Sequence, residues 1–351
     1  MKLFIKFNLI IINILFFIGM GLVCLSPYIN PAEYWLPALM AISSHFLIMG
    51  NIFFIILWAF KKNWLLIFSL LIILISSFKS LPKHFQYNTK TSTTEKGIIL
   101  CSYNVRSFTG HNGKAVKEWD RMLVNQYLKE KKADIVCFQE INHDLIAGFN
   151  PFHDDSTAYC TSEKNELITI SRYPIIKEGK YFFEKSNMII SSDLKIGNDT
   201  IRIFNCHMQS YNLSSSYIRS LNTFSIIKQL ENIKMAQYFL PKFKYFIKQR
   251  AKQADLLKEK INKCPYPVIV CGDFNDTPDS YTYHTIKGEM KDAYIESGRG
   301  TGSSYIRPFF SLRIDYLFHD NFYKSYNFSV DNKNYSDHKP IWCKLVKNDS
   351  E

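Results

Sequence analysis

Three long apolar runs in the first 80 residues constrain the fold more than any other feature of the sequence. They cover residues 8–25, 37–60 and 64–80. A helix needs roughly 20 apolar residues to cross a bilayer, where its backbone hydrogen bonds must be satisfied internally. The first two runs meet this length, and the third is marginal. Because a cleaved signal peptide would explain only the first run, the sequence predicts a membrane region over residues 1–86 with three transmembrane helices.

Lysine residues predict the orientation of this region. Lys2 and Lys6 precede the first run, and Lys61 and Lys62 lie between the second and third runs. The loop at residues 26–35 has no Lys or Arg. Positive side chains near helix ends remain on the cytoplasmic side. Three crossings then place the rest of the chain outside, so we expect a multi-pass membrane protein with an extracytoplasmic soluble domain.

The remaining sequence is typical of one soluble domain. Residues 87–96 are polar and lack periodicity, which predicts a linker. Residues 97–346 are enough for a single domain with two sheets. A segment at about 211–262 is predicted to be a helical insertion in this domain.

The net charge of +12 is concentrated in part of the chain. Beyond residue 90 there are 36 basic and 30 acidic side chains, and residues 228–263 contain ten Lys or Arg against three acids. A solvated helix face and a phosphate-facing patch both fit this stretch. The eight cysteines show no zinc or disulfide spacing, and four of them lie in apolar segments typical of a core.

Seven segments of the soluble part are apolar or alternating and have polar side chains near one end. They read GIILCSYNV, ADIVCFQEI, ELITISRYP, IRIFNCHMQS, YPVIVCGDFN, SLRIDYLFHD and NYSDHKPIWCKLV. Short segments of this kind, bounded by turn residues, predict strands. Each polar end taken alone fits an ordinary turn or a solvated strand end. Together they indicate one shared site, because buried polar groups are costly unless they are paired.

The polar residues fit magnesium-assisted attack of water on a phosphate ester. Mg²⁺ takes oxygen ligands, commonly one or two carboxylates with several waters, so Glu140 fits as the main ligand and Asn104 as a neighbouring oxygen donor. Asp273 fits as the general base. Asn275 lies two residues further on, and would face the same side of an extended backbone.

Two histidines fit the second half of this chemistry. The leaving oxygen and the charge that develops on phosphorus need hydrogen-bond donors. His207 and His338 supply such donors if Asp315 or Asp337 keeps the imidazole charged.

The motifs SYNVRSF, FQEI, SRYPI, NCHMQS, CGDFNDTP, RIDYLF and SDHKPI resemble, in this order, those of the endonuclease/exonuclease/phosphatase superfamily. That group includes deoxyribonucleases, abasic-site endonucleases, inositol polyphosphate phosphatases and neutral sphingomyelinases. The resemblance covers residues 97–346. It implies an α+β fold, a four-layer α/β/β/α sandwich of two packed mixed sheets, here preceded by transmembrane helices. It also implies a hydrolase with a divalent metal, Mg²⁺ or alternatively Mn²⁺.

The resemblance also implies a role for each site residue. It places metal binding on Asn104 and Glu140, with Asp337 near the metal, and the base on Asp273. It makes Asn275 an amide that contacts the water or the phosphate, and it makes His207 and His338 contacts to the phosphate. Asp315 would orient His338.

The substrate is less constrained than the reaction. A nuclease-like phosphodiesterase is the first hypothesis, with nucleic acid favoured over phospholipid. A phospholipid or sphingomyelin phosphodiesterase, or an inositol-phosphate phosphatase, is the alternative, and a non-catalytic membrane scaffold is the last. The expected partners are a lipid bilayer and a phosphodiester substrate, and no protein partner is inferred.

Overall fold

The structure, a computed structural model, describes residues 2–89, 93–108, 118–141, 149–154, 157–161, 166–183, 188–211, 228–307, 310–333 and 335–348. The α-helices are α1 Lys2–Leu25, α2 Leu36–Ile42, α3 Ser44–Phe60, α4 Leu66–His84, α5 Glu118–Glu130, α6 Lys228–Asn262, α7 Tyr281–Lys287 and α8 Ala293–Ser297. The strands are β1 Gln86–Tyr87, β2 Ile98–Asn104, β3 Ile135–Gln139, β4 Tyr159–Cys160, β5 Leu167–Ser171, β6 Ile175–Phe182, β7 Met188–Ile196, β8 Asp199–His207, β9 Val268–Asp273, β10 Lys291–Asp292, β11 Arg299–Gly300, β12 Tyr305–Arg307, β13 Phe310–Leu312, β14 Asp315–His319, β15 Tyr323–Val330 and β16 Ile341–Lys347.

The chain forms two compact units. One comprises Met1–Phe78, Gln209–Asp255 and Asp279–His284, and is called the N-terminal unit below. The other, the sandwich unit, comprises Lys79–Met208, Leu256–Pro278 and Thr285–Glu351.

Two six-stranded mixed sheets form the sandwich unit. The first sheet has the order β15-β16-β2-β3-β5-β4, and the second has the order β10-β14-β9-β8-β7-β6. Each contains one parallel pair, β2 with β3 and β8 with β9, among antiparallel neighbours. Every one of the seven predicted segments contains a strand, and the predicted pair of packed mixed sheets with helices is confirmed.

Branched apolar residues of the central strands form the core between the sheets. Leu100 and Ile135 from the first sheet and Ile203 and Ile269 from the second belong to one buried cluster. A second cluster on the other face of the first sheet includes side chains of α5. Burial of a single such side chain stabilises the fold by roughly 1.5–3 kcal/mol. The expectation that the strand cysteines are buried is also met, and all eight cysteines are free thiols.

The start of the predicted linker is part of the sandwich unit. Gln86 and Tyr87 form β1, which pairs with β11 at Arg299–Gly300, and the Asn88 side chain donates to the Ile295 carbonyl at 2.9 Å. This pairing could not be predicted from the polar composition, because strand pairing here depends on backbone groups rather than on an apolar pattern. Lys90 to Ser92 lie outside the described residues.

Helix α1 is long and apolar enough to cross a membrane. The second predicted helix is divided into α2 and α3, which meet at a 75° bend and pass the same test only as a pair. The break falls at Ser43–Ser44, and adjacent serines are a common site of helix kinks. The apolar part of α4, Ile67–Ser76, is shorter.

Buried polar side chains connect these helices inside the bundle, beside a buried apolar cluster of Met20, Val23 and Ile72. Asn13 joins three helices, because its amide donates to Ser69 Oγ at 2.8 Å and its oxygen accepts from Trp58 Nε1 at 3.0 Å. All three side chains are buried. Large apolar side chains are exposed on the outer faces: Phe4, Phe7, Leu15, Ile18, Phe46, Phe53, Ile56, Phe60, Phe68 and Leu74 are examples. A soluble protein rarely exposes so large an apolar surface.

Candidate active site

Strand pairing brings the polar ends of five strands to one end of the sandwich. In the first sheet Asn104 is paired with Gln139, the residue before Glu140. In the second sheet Asp273 is paired with His207 on one side and with Asp315 on the other. Neighbouring parallel strands end on the same side of their sheet, so within each sheet the polar residues lie side by side.

Asn104 bridges the carboxylates of the two sheets. Its Nδ2 lies 3.0 Å from Glu140 Oε1 and 3.0 Å from Asp273 Oδ2, while its oxygen accepts from the Arg106 backbone at 3.1 Å. Burial favours the neutral acid, but His207 and Asn104 outweigh it and lower the pKa of Glu140 to about 2. Glu140 is therefore ionised at neutral pH. Its side chain is 35% exposed, which leaves it accessible from solvent.

Asp273 is almost completely buried. Its two oxygens accept from the Asn275 backbone at 2.8 Å and from the Asn275 and Asn104 amides. Burial raises the pKa of Asp273 to about 6, and Asp315 adds to this, against the histidines that favour the charged form. A carboxylate with this pKa is mostly ionised at pH 7 and is still basic enough to accept a proton.

His207 lies against Glu140 with its polar atoms unsatisfied. Its Nε2 is 3.3 Å from Glu140 Oε1, yet neither ring nitrogen makes a hydrogen bond with any residue that the structure describes. Burial disfavours the charged ring, but Glu140 and Asp273 outweigh it and raise the pKa of His207. A buried imidazole without partners in a cluster of acids is ready to contact an oxyanion.

His338 is held by Asp315, as one of the two predicted arrangements requires. Its Nδ1 lies 2.9 Å from Asp315 Oδ2, and its Nε2 lies 3.6 Å from Asp273 Oδ2. Asp315 Oδ2 also accepts from Ser304 Oγ at 2.6 Å. Burial disfavours the imidazolium, but the two aspartates outweigh it and raise the pKa of His338 to about 10. His338 is thus a donor at neutral pH.

Left-handed backbone conformations aim the side chains at these strand ends. Glu140 and Asn275 have φ values of 51° and 52°, and such conformations in residues other than glycine are commonest at functional sites. The Asn275 amide donates to the Met208 carbonyl at 3.0 Å. Gly272 has φ 133°, and a Cβ there would lie 2.0 Å from the Cys206 carbonyl oxygen. Only glycine permits this close approach of β8 and β9.

Asp337 is bound by an arginine that the sequence did not single out. Arg106 Nη1 lies 3.2 Å from Asp337 Oδ2, and Asp337 is 5% exposed. Five other predicted site residues form two acid and histidine clusters, and the ligand atoms within each cluster lie within 4.8 Å of one another: Glu140, His207 and Asp273, and Asp273, Asp315 and His338. Asp337 is part of neither cluster.

A buried amide pair beneath the site was also not predicted from the sequence. Gln139 Nε2 donates to Asn205 Oδ1 at 2.7 Å, and Asn205 Nδ2 donates to the carbonyls of Phe138 and Ile168 at 3.1 Å. This pair joins the two sheets next to Glu140 and His207. One signal could have found it, since Asn205 lies two residues before His207 and therefore faces the same way in the strand.

The donor set fits a hard divalent cation. Two carboxylates of different sheets face one another through one amide, and Glu140 is open to water, so a cation could keep several water ligands as Mg²⁺ prefers. Glu140 is the residue most suited to hold the cation, and Asp273 lies on the other side of the Asn104 amide as the basic group.

Known structures share this fold. An endonuclease/exonuclease/phosphatase family protein from Bacteroides thetaiotaomicron is 15% identical with a TM-score of 0.54, covering 73% of this chain and 100% of that one. A mannosyl-6-phosphatase from the same organism is 16% identical with a TM-score of 0.52, covering 71% and 99%. TDP2 from D. rerio in complex with a single-strand DNA product is 13% identical with a TM-score of 0.51, covering 72% and 100%.

Sequence comparison gives the family directly. No curated protein sequence matches the chain. A profile described as a domain of unknown function matches residues 2–82. The profile of the endonuclease/exonuclease/phosphatase family matches residues 101–338, which contain all eight predicted site residues. The chain therefore belongs to the endonuclease/exonuclease/phosphatase family, whose members are hydrolytic phosphoesterases.

Proposed function

We propose that this protein is a membrane-anchored phosphodiesterase that hydrolyses its substrate with an activated water molecule and a divalent cation, most simply Mg²⁺. The observation that supports this best is the convergence of Glu140, Asp273 and His338 around the Asn104 amide. It combines an ionised carboxylate, a base and a cationic donor in two clusters that share Asp273.

Asp273 takes a proton from the attacking water in this proposal. The water oxygen forms the new bond to phosphorus while the bond from phosphorus to the ester oxygen breaks. Asn275 holds the base through its backbone N–H and its amide. A base with a pKa near 6 suits proton transfer near neutral pH.

The two histidines stabilise the charge that develops on the phosphate oxygens. His338 is kept cationic by Asp315, which Ser304 holds in place. His207 presents ring nitrogens without other partners. Preorganised donors of this kind are worth several kcal/mol in a transition state. A cation at Glu140 would add to the same effect by neutralising phosphate charge.

The membrane anchor is supported by the apolar outer faces of the helices α1, α3 and α4. Buried hydrogen bonds join these helices beside their apolar contacts, as expected where lipid replaces water. We infer that α4 makes a third crossing although its apolar part is shorter, and the lysine distribution places the amino terminus inside. Cysteine accessibility at a reporter position after Lys90 tests this: labelling from the extracytoplasmic side supports the proposal, and labelling only from the cytoplasm contradicts it.

Nuclease-like cleavage is the first substrate class, and phospholipid hydrolysis is the second. The second gains from one structural fact: Gln209–Asp255, with most of the basic α6, belongs to the same unit as the apolar helices. At 13–16% identity, the shared fold does not discriminate between these substrate classes.

The test is a parallel assay of the full chain in detergent micelles. Plasmid DNA, RNA, sphingomyelin and inositol phosphates are compared with and without Mg²⁺, and with the Asp273→Asn variant as the inactive control. Turnover of one class that needs both the cation and Asp273 supports the proposal. Wild-type protein that turns over none of them, or turnover that persists in the variant, would reject it.

A further inference from the structure

A basic and aromatic stretch of α6, Phe239–Lys252, belongs to the N-terminal unit together with the apolar helices. We call it the interfacial segment. Leu240 and Tyr245 are 44% and 43% exposed, and Lys242 and Lys244 between them are exposed as well. The segment contains no Asp or Glu. The exposed side chains of the segment therefore combine several cations with large apolar groups.

Two contacts place α6 along the connection between α1 and α2. Lys244 Nζ lies 5.8 Å from the centroid of the Trp35 ring, and Asp255 accepts from the Asn30 amide at 3.2 Å. The Tyr281 hydroxyl strengthens the second contact by donating to Asp255 at 2.6 Å. These two α6 positions are eleven residues apart, about 16 Å along the helix axis. Because both meet one short connection, α6 runs beside it and does not project away from it.

That connection marks the end of the apolar bundle. Helix α1 ends at Leu25 and α2 begins at Leu36. The residues between them include Tyr28 and Tyr34, which are 59% and 68% exposed, and Trp35. Tyr and Trp at the ends of transmembrane helices are enriched at the level of the lipid headgroups. An amphipathic helix that lies beside this connection is therefore at headgroup depth.

The inner face of the segment is occupied by its own unit. Arg250 is completely buried, donates to the Gln209 carbonyl at 2.8 Å and hydrogen bonds to the Tyr211 hydroxyl. The rings of Phe243 and Phe246 lie 4.9 Å and 6.3 Å from the Tyr211 ring. With this face fixed, the face that carries Leu240, Lys244 and Lys248 is the one presented outward, since these positions are four residues apart.

We propose that the interfacial segment lies on the extracytoplasmic membrane surface and binds anionic phospholipid headgroups through Lys244, Lys248 and Lys252, which are four residues apart on one face. Charge complementarity and continuity with the apolar exterior of α1 to α4 favour this occupant. The inference rests on the membrane anchor of the proposed function. Each lysine near an anionic surface contributes about a fivefold preference, so the three together contribute on the order of 100-fold.

The experiment uses the full chain in lipid nanodiscs that contain increasing fractions of phosphatidylglycerol. An environment-sensitive fluorophore is attached at Leu240→Cys, in a background where Cys24, Cys160 and Cys264 are serine. The expected result is a blue-shifted emission that headgroup-level spin-labelled lipids quench increasingly as the anionic fraction rises. The matched control is the same label at Glu259→Cys, exposed near the end of the same helix, which should stay water-like throughout.

Replacing the three lysines with glutamine should move the response at residue 240 to much higher phosphatidylglycerol fractions, and 1 M salt should do the same. Hydrolysis of a small soluble phosphodiester by this variant should stay within twofold of wild type, which separates a failed surface from a failed active site. A label at 240 that stays water-like in a chain incorporated in the nanodisc would overturn the inference. Protection of that label by a DNA duplex in place of lipid would also overturn it, and would assign the lysines to nucleic acid.

Discussion

Replacing Asp273 with asparagine tests the central feature of the site. The Asp273 carboxylate accepts hydrogen bonds from Asn104 Nδ2 at 3.0 Å and from Asn275 Nδ2 at 3.2 Å. An asparagine keeps the shape but cannot act as a base, and its amide would face two amide donors. We expect turnover to fall by about 10²- to 10⁴-fold. We also expect a loss of about 1–3 kcal/mol in the free energy of unfolding from the unsatisfied donors.

The dependence of the rate on pH adds a second signature. Because the base must be ionised, turnover should rise with pH through the pKa of Asp273, about 6, and level off above it. A bound cation favours the carboxylate and would move this limb to lower pH. The residual activity of Asp273→Asn should lack the limb.

Glu140→Gln separates metal binding from base catalysis. Glu140 is ionised and half-exposed, so its loss should weaken cation binding while Asp273 stays in place. The rate of this variant should recover in part as the Mg²⁺ concentration rises, whereas excess Mg²⁺ should leave Asp273→Asn unchanged. The measurement is initial rate against Mg²⁺ concentration for wild type and both variants.

Asp276→Asn is the matched control, because this buried carboxylate caps the Thr277 N–H at 3.1 Å and lies outside both acid and histidine clusters. Circular dichroism and thermal unfolding establish that each variant is folded. If folded Asp273→Asn retains a rate within tenfold of wild type, Asp273 is not the base and the proposed mechanism is wrong.

Two further changes test the framework around the site. Asn205→Leu should lower kcat more than KM and destabilise the fold, because the Gln139 amide loses its partner. Adding Gln139→Leu should restore part of the thermal stability without restoring kcat, because that amide is then no longer present unpaired. Equal recovery of both would limit the pair to a structural role. Burial favours the neutral form of Glu296, but His319 and Ser325 outweigh burial and lower the pKa of Glu296 to about 2. The ionised Glu296 should therefore stabilise the fold fully above pH 4.5, and this stabilisation should be lost as the pH falls toward 2. Glu296→Gln should therefore cost about 1–3 kcal/mol at pH 7 and flatten urea midpoints measured between pH 4.5 and 2; an unchanged midpoint at pH 7 would contradict this.

The site was predictable where the position of a residue in its own strand marks it as a site residue. Asn104, His207 and Asp273 each end an apolar or alternating segment, and about ten residues of sequence are enough to recognise that position. Strands β6 and β15 were not predicted, since IIKEGKYF and YKSYNFSV carry charges and lie at the sheet edges, where burial is partial.

Partners from distant segments could not be predicted, because strand register decides them. Asn205 meets Gln139 across 66 positions, and Arg106 meets Asp337 across 231. From the residues alone the choice between Asp315 and Asp337 as the partner of His338 was open for the same reason, and only the family resemblance assigned Asp315. Asp315 is opposite Asp273 in the sheet, which puts the Asp315 carboxylate beside the His338 imidazole. Asp337 is bound by Arg106 instead.

The place of α6 in the chain indicates what the interfacial segment controls. It begins after His207 and ends before Asp273, so it joins the two strands β8 and β9 that carry the histidine and the base. These strands are paired in parallel from Arg202 with Val268 to His207 with Asp273. The ladder fixes the distance between His207 and Asp273 whatever the position of α6. Changes in the interfacial segment should therefore alter where the enzyme binds, and which substrates reach it, while the chemical step on a small soluble phosphodiester stays the same.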